Sequence, residues 1–415
     1  MEYYSIATVL IVLSALFGYI NVRFLKLPIT IGLMLITIIF TLGVIVLAQF
    51  DDTLLMQEKA FINSIDFETV LLDIMLSFLL FAGALHTNFE QLRVQRGPIL
   101  MFATLGVLVS TFLVGTAMFY LINGIGIEVS FINCLLFGAL ISPTDPIAVL
   151  GILKKAGAPK KLETKIVGES LFNDGVGVVV FLTIFAIAAK PDVPFEFSDI
   201  VTLFGQEVIG GIALGLILGW ITYRLMQSID NYEVEVILTI ALVMGGTMLS
   251  HKFHVSAPLA MVTAGLLVGN DKIRNSAMSE TVEMYVDKFW EMIDVLLNTI
   301  LFVMIGMEML VLTLEANYIY AGLLAIPIIL LCRYISLWPP ITIFAKKLDF
   351  VPRTNVIMTW GGLRGGISIA LALSLTADMQ RELFLVMTYI VVVASILGQG
   401  LTVEPIIERL TKKKA

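Results

Sequence analysis

Ser142-Pro143-Thr144-Asp145-Pro146 interrupts one long apolar run, and Gly361-Gly362-Leu363-Arg364-Gly365-Gly366 interrupts another. The apolar stretches 130–153 and 354–377 continue on both sides of these segments, so neither reads as a loop. Two prolines remove two backbone donors, and each clashes with the carbonyl one turn earlier. Four glycines in six residues unwind a helix at low cost. Each interruption also carries a charge, Asp145 or Arg364. Inside a membrane a broken helix is tolerated only where it is buried in protein or lines a cavity. The two segments therefore predict a pair of interrupted spanning helices around a polar site.

The rest of the chain supplies the membrane. Of 415 residues, 58% are hydrophobic and 14% charged, with a mean hydropathy of +0.96; soluble domains carry roughly 25% charged residues. This excludes a disordered chain, a nucleic-acid binder and an ordinary soluble enzyme. Apolar runs fall at 3–22, 27–48, 69–87, 98–122, 130–153, 163–189, 199–225, 232–250, 255–270, 285–312, 317–345, 354–377 and 382–408. The expected fold class is an all-α polytopic membrane protein with about 13 transmembrane helices, each needing about 20 residues. With the N-terminus outside, 19 basic residues fall on the cytoplasmic side, the C-terminal Lys412–Lys414 among them, and 4 on the outer side. Such a split follows the positive-inside rule. No basic segment precedes the first run, so it is expected to be retained rather than cleaved. The two interrupted runs are seven apart and hence oppositely oriented, the mark of an inverted repeat with two broken crossing helices. Cys134 and Cys332 lie in apolar stretches and read as small buried hydrophobes.

Acids and bases inside the runs need partners or a function. The deep ones are Asp73, Asp145, Glu169, Asp174, Asp294, Arg333 and Arg364. The densest group is Glu169-Ser170-Leu171-Phe172-Asn173-Asp174. On a helix Glu169 and Asn173 share one face, and Ser170 and Asp174 the adjacent one. Thr144, Asp145 and the carbonyls freed by the prolines would complete a cage of five or six oxygens if the two runs cross. Oxygen ligands suit hard monovalent cations, and a carboxylate also takes a proton, so cation and proton would compete for Asp174. Arg333 needs an acid, with Glu169 or Asp294 as candidates. Arg364 would neutralise unwound carbonyls or helix-dipole charge. Asp73 and Asp294 lack a dense polar neighbourhood and read as structural. His86, His251 and His254 fall near the ends of runs, where solvation is the expected role.

At these residues the chain resembles the NhaP-type sodium/proton antiporters, the monovalent cation/proton antiporter family related to the animal sodium/proton exchangers. The resemblance covers almost the whole chain. It is carried by Pro143-Thr144-Asp145-Pro146, Gly168-Glu169-Ser170, Asn173-Asp174, Phe289-Trp290-Glu291, Asn298, Arg333 and Gly361-Gly362-Leu363-Arg364-Gly365. It implies a NhaA-like antiporter fold, a homodimer and elevator-type movement. It implies scaffold and dimerisation helices at 1–97 and 232–316, core ion-transport helices at 98–189 and 317–415, and a linker helix at 190–231. By position, Asp174 resembles the essential ion- and proton-binding carboxylate. Thr144, Asp145 and Ser170 resemble further Na+ ligands, Asn173 the supporting member of the Asn-Asp pair, and Glu169 with Arg333 the neighbouring ion pair. Glu169 is also a candidate ion- or proton-binding residue, and Arg364 the broken-helix charge.

The function implied is secondary active exchange of sodium or lithium for protons by alternating access. The Asn-Asp pair suggests one cation per proton, electroneutral. The same fold carrying potassium is the alternative. No enzyme is expected: the chain has no Gly-x-Gly-Asp, His-Glu-x-x-His or Gly-x-Ser-Gly sequence and no ATP-binding signature. No cofactor is expected beyond the transported ions, and the partners are sodium, protons, membrane lipid and a second copy of the chain. The short basic tail suggests a prokaryotic inner membrane, with the N-terminus outside and the C-terminus cytoplasmic.

Overall fold

The computed structural model describes residues 2–50, 53–145, 149, 153, 158–190, 197–270, 274, 278–345, 348 and 350–411. Pro146 and the basic residues Lys154, Lys155, Lys272, Lys346, Lys347 and Lys412–Lys414 lie outside them. The described residues form helices and no strand. In chain order these are α1 (Glu2–Ile20), α2 (Ile29–Leu47), α3 (Thr53–Asn63), α4 (Leu76–Leu85), α5 (Phe89–Val94), α6 (Arg96–Met101), α7 (Val107–Gly124), α8 (Phe131–Leu140) and α9 (Lys160–Ala188). There follow α10 (Phe197–Met226), α11 (Tyr232–Phe253), α12 (Ala257–Val268), α13 (Glu280–Glu308), α14 (Ala316–Phe344), α15 (Thr354–Trp360), α16 (Gly366–Leu373), α17 (Arg381–Val393) and α18 (Gly400–Thr411). Nine helical stretches among the described residues are long and apolar enough to cross a membrane, and three shorter apolar helices accompany them.

Each apolar run of the sequence contains helix among the described residues, and polar caps set several of the starts. Ser130, Asn231, Ser256 and Ser279 each accept the amide proton three residues on, opening α8, α11, α12 and α13. Pro258 sits in the first turn of α12, where its missing donor costs nothing. Two features lie beyond the hydropathy pattern. The polar connection after α2 contains a helix of its own, α3. Single π-helical stretches occur at Asn21–Leu25, Thr69–Met75, Phe102–Gly106 and Ala394–Gln399. The last three join α4, α6 to α7, and α17 to α18 into longer rods.

The packing has an internal correspondence. α4 lies along α12, and α2 lies along α13. These pair the third run with the ninth and the second with the tenth, which exchange when each run is advanced or set back by seven. Likewise α7 packs on α8 as α14 packs on α15. α7 and α14 also meet, and α16 lies against both α8 and α17. The interrupted segments are thus enclosed by α7, α9, α14 and α17. On the other side, Trp290 is buried against Phe78, Phe81 and Phe289, with its indole N–H donated to Thr239 at 2.9 Å. α1 and α10 instead expose apolar residues such as Val12, Leu16, Ile209, Ile217 and Trp220.

Candidate cation site

α8 ends at Leu140, and the chain runs non-helically through Pro143, Thr144 and Asp145. The polar stripe of α9 faces this segment. The Thr144 N–H donates to Asn173 Oδ1 at 3.2 Å, and Asn173 Nδ2 donates to Thr144 Oγ1 at 2.8 Å. Thr144 Oγ1 and Ser170 Oγ share a hydrogen bond of 2.9 Å. Asn173 therefore replaces the helical bonds that Thr144 has lost, and positions its hydroxyl. Asp174 is 3% exposed, and its Oδ1 is buried without a hydrogen-bond partner among the described residues.

The second interruption, between α15 and α16, completes the accounting. The Asp145 N–H donates to the Leu363 carbonyl at 2.8 Å. Arg364 Nη1 donates to the Ser142 carbonyl and, at 2.9 Å, to the Pro143 carbonyl. The Arg364 N–H donates to Ser395 Oγ at 3.0 Å, and Gln399 Nε2 donates to the Trp360 carbonyl at 2.9 Å. Backbone groups freed at membrane depth need such partners, because no water competes for them. Arg364 donates to the carbonyls freed at the other break, whereas the sequence reading placed its acceptors in its own. Contact is close enough that a Cβ at Gly365 would lie 2.7 Å from Asp145 Oδ2.

Arg333 takes Glu169, not Asp294. Its Nη2 lies 3.0 Å from Glu169 Oε1 and 3.1 Å from Oε2, and its Nε donates to the Met358 carbonyl at 3.2 Å. Asp294 instead accepts from Asn298 Nδ2 at 3.0 Å. Asp73 is half exposed, with His251 Nε2 3.8 Å from its carboxylate, and His86 stands 3.8 Å from Asp287. The three histidines lie near helix ends, as their positions in the runs suggest.

A cavity of about 50 Å³ brings together Thr144, Asp145 and Asp174. Ser170, Asn173, Glu169, Arg333 and Arg364 stand behind this lining. Asn298 of α13 and Ser368 of α16 line the cavity too. Asn298 was visible as part of a pattern, whereas Ser368 gave no signal, being one serine in an apolar run. Two larger funnels flank the cavity. One, of about 770 Å³, is walled by the start of α9 and by His86, Asp287 and Asp294, and it shares Gly83 and Leu171 with the cavity. The other, of about 400 Å³, is walled by the latter half of α9 and by Asp73, Glu207 and His251, and it shares Leu76. Residues 171–174 of α9 thus separate two solvent-sized approaches.

A carboxylate, a hydroxyl and a half-buried second carboxylate thus line one small cavity. Comparisons with known proteins give the family. The chain is 48% identical to the Na(+)/H(+) antiporter NhaP of Pseudomonas aeruginosa, over 96% of this chain and 95% of that one. It is 33% identical to the Na(+)/H(+) antiporter NhaH of Halobacillus dabanensis, over 94% and 93%. Its fold matches the solved structure of the sodium proton antiporter MjNhaP1 from Methanocaldococcus jannaschii with a TM-score of 0.77, at 19% identity, over the full length of both chains. The family model described as "Sodium/hydrogen exchanger, transmembrane" matches residues 11–409. The chain belongs to the sodium/hydrogen exchanger family, a family of transmembrane transporters and not of enzymes.

Proposed function

We propose that the chain exchanges sodium or lithium for protons across a membrane by alternating access, with Asp174 taking either the cation or the proton. The observation that carries this reading is the buried Asp174 carboxylate, whose Oδ1 lacks a partner among the described residues, on a small cavity between two funnels. Thr144 and Asp145 line the same cavity and are its further cation ligands; Ser170 acts through the Thr144 hydroxyl. A loaded cation and a bound proton exclude each other at one carboxylate, so a protein that opens that site alternately to either side couples their movement.

The finer architecture belongs to the same reading. It has thirteen crossings in an inverted NhaA-like repeat, supported by the exchanged pairing of α4 with α12 and α2 with α13. The core comprises residues 98–189 and 317–415. The scaffold comprises 1–97 and 232–316, joined by the linker helix within 190–231. The apolar faces of α1 and α10 meet lipid and a second copy in a homodimer. The N-terminus is outside and the C-terminus cytoplasmic, in a bacterial plasma membrane. The cycle uses no cofactor. Asn173 is spent on Thr144 and Glu169 on Arg333, which leaves Asp174 and Asp145 as the carboxylates on the cavity; with Asp174 alone exchanging its proton, exchange is one-for-one and electroneutral.

The test uses purified protein in liposomes with an imposed pH gradient and a trapped pH dye. Sodium, lithium and potassium are added in turn, with and without a potassium–valinomycin voltage clamp. Sodium- or lithium-dependent dissipation, insensitive to voltage and lost in Asp174→Asn, is the expected result. Full activity of a folded Asp174→Asn variant would sink the assignment. Preference for potassium would favour the alternative cargo, and voltage dependence would overturn the stoichiometry.

A further inference from the structure

The resemblance and the polar stripe draw every cation ligand from α9 and from the break after α8. The cavity has another contributor. Ser368, in the first turn of α16, lines it with Asp174, Thr144 and Asp145. Ser368 is 1% exposed, and its Oγ has no hydrogen-bond partner among the described residues. Several buried hydroxyls return to the carbonyl four residues back, as Thr37 does to Leu33, Thr183 to Val179 and Ser250 to Gly246. For Ser368 that residue is Arg364, which lies in the break and presents no helical carbonyl. Ser14, Ser77, Thr359 and Thr388 are also buried without a partner among the described residues, but of these hydroxyls Ser368 alone lines the cavity.

Asp174 Oδ1, on a different helix, is orphaned on the same cavity. A buried polar atom without a partner is disfavoured, and each such atom in a folded protein calls for an explanation. Two orphaned oxygens on one cavity of about 50 Å³ are satisfied together by a single guest that oxygens coordinate. A hydroxyl suits both states of the site. It turns a lone pair to a cation, or its proton to a carboxylate.

From this we infer that Ser368 Oγ is a direct ligand of the transported cation, so that the second broken helix closes the cation's shell. The inference rests on the sodium/proton reading of the site. It makes the affinity for sodium depend on α16 as well as on α9.

The experiment measures sodium-driven exchange in liposomes over a series of sodium concentrations at fixed pH, for the wild type and for Ser368→Ala, Ser368→Thr and Ser368→Cys. Cysteine keeps the size of serine and offers a soft sulfur instead of oxygen. Loss of one ligand is expected to raise the sodium KM about tenfold in Ala and Cys, the equivalent of about 1.4 kcal/mol. The maximal rate should change little, because binding and not turnover is lost. Threonine, which keeps the hydroxyl, should retain a KM near the wild-type value. An unchanged KM in both Ala and Cys overturns the assignment, as does an equal rise in Thr and Ala, which would make shape the cause. Wild-type protein that shows no sodium-dependent exchange overturns the antiport reading itself, and this ligand with it.

Discussion

Arg333 and Glu169 form a buried ion pair with side-chain exposures of 6% and 2%. At 3.0 Å, and at an effective dielectric constant of about 20, their attraction is about 5–6 kcal/mol. Removing each charge from water costs several kcal/mol, so the intact pair contributes little net stability. Breaking it is another matter. Arg333→Met leaves the Glu169 carboxylate buried without its cation and the Met358 carbonyl without its donor. The expected loss is about 3–5 kcal/mol, and Glu169→Met should cost a similar amount. Replacing both removes both charges, so the double variant should be more stable than either single one. The assay is equilibrium unfolding in mixed micelles followed by tryptophan fluorescence, read as a double-mutant cycle. Sodium-driven exchange is measured on the same four proteins. A double variant that exchanges assigns the pair to holding geometry, whereas one that folds but does not exchange restores Glu169 as an ion-binding residue. Additive losses, with the double variant as unstable as the sum of the singles, would refute the reasoning.

The remaining predictions concern the same pair and the entry to the cavity. A Cβ added at Gly362 lands on the Arg333 guanidinium, which Glu169 and the Met358 carbonyl hold in place. Gly362→Ala should cost about 1–3 kcal/mol in the wild type, as overpacking does, and much less in the Arg333→Met background, by the same unfolding assay. Asp66 caps the helix that leads into α4, accepting the Thr69 N–H at 3.1 Å and the Thr69 hydroxyl at 2.7 Å. The hydroxyl first, and then the amide, hold its carboxyl below the usual range. Its stabilisation is therefore fully present above the unfolded value of about 3.9 and lost as pH falls through the lower folded value. Because Asp66 is exposed, Asp66→Ala should cost only about 0.5–1 kcal/mol, seen as faster hydrogen exchange at the amides of residues 67–70.

Much of this was legible in the sequence because membranes penalise unexplained polarity. Hydropathy marked the long apolar helices, since a spanning segment must be apolar throughout its length. Pro143 and the glycines at 361–366 marked the breaks, since a proline removes a backbone donor and clustered glycines unwind a helix at low cost. Helical spacing put Ser170, Asn173 and Asp174 together on α9. What was not legible depended on which atoms meet across the fold. Arg333 had two acids in reach by sequence, and only the fold, which brings its guanidinium to α9, selects Glu169. That Arg364 crosses to the opposite break depends on the same kind of contact. Ser368 looked like any hydroxyl in a helix, because its lost acceptor is visible only once the neighbouring break has a geometry. The polar connection at 53–63 was overlooked as a helix because its pattern is weak, and the π-helical stretches have no hydropathic signature at all.

The mutual pairing of the breaks bears on how the site can move. Asp145 N–H on Leu363, Arg364 on Ser142 and Pro143, and Thr144 on Asn173 tie the break after α8, the stripe of α9 and the break before α16 to one another. Opening the cavity by further unwinding would break these bonds where water does not replace them, at several kcal/mol for each unsatisfied group. Displacing the unit that carries both breaks as one body keeps all of them. The barriers on either side are apolar and small by comparison: Leu171 and Gly83 toward one funnel, Leu76 toward the other. Gly83 and Leu76 both belong to α4, outside the tied unit. Sliding that unit along α4 would exchange one apolar contact for another and leave the proposed cation site intact. For the alternating access proposed above, backbone accounting therefore favours rigid-body movement over local melting.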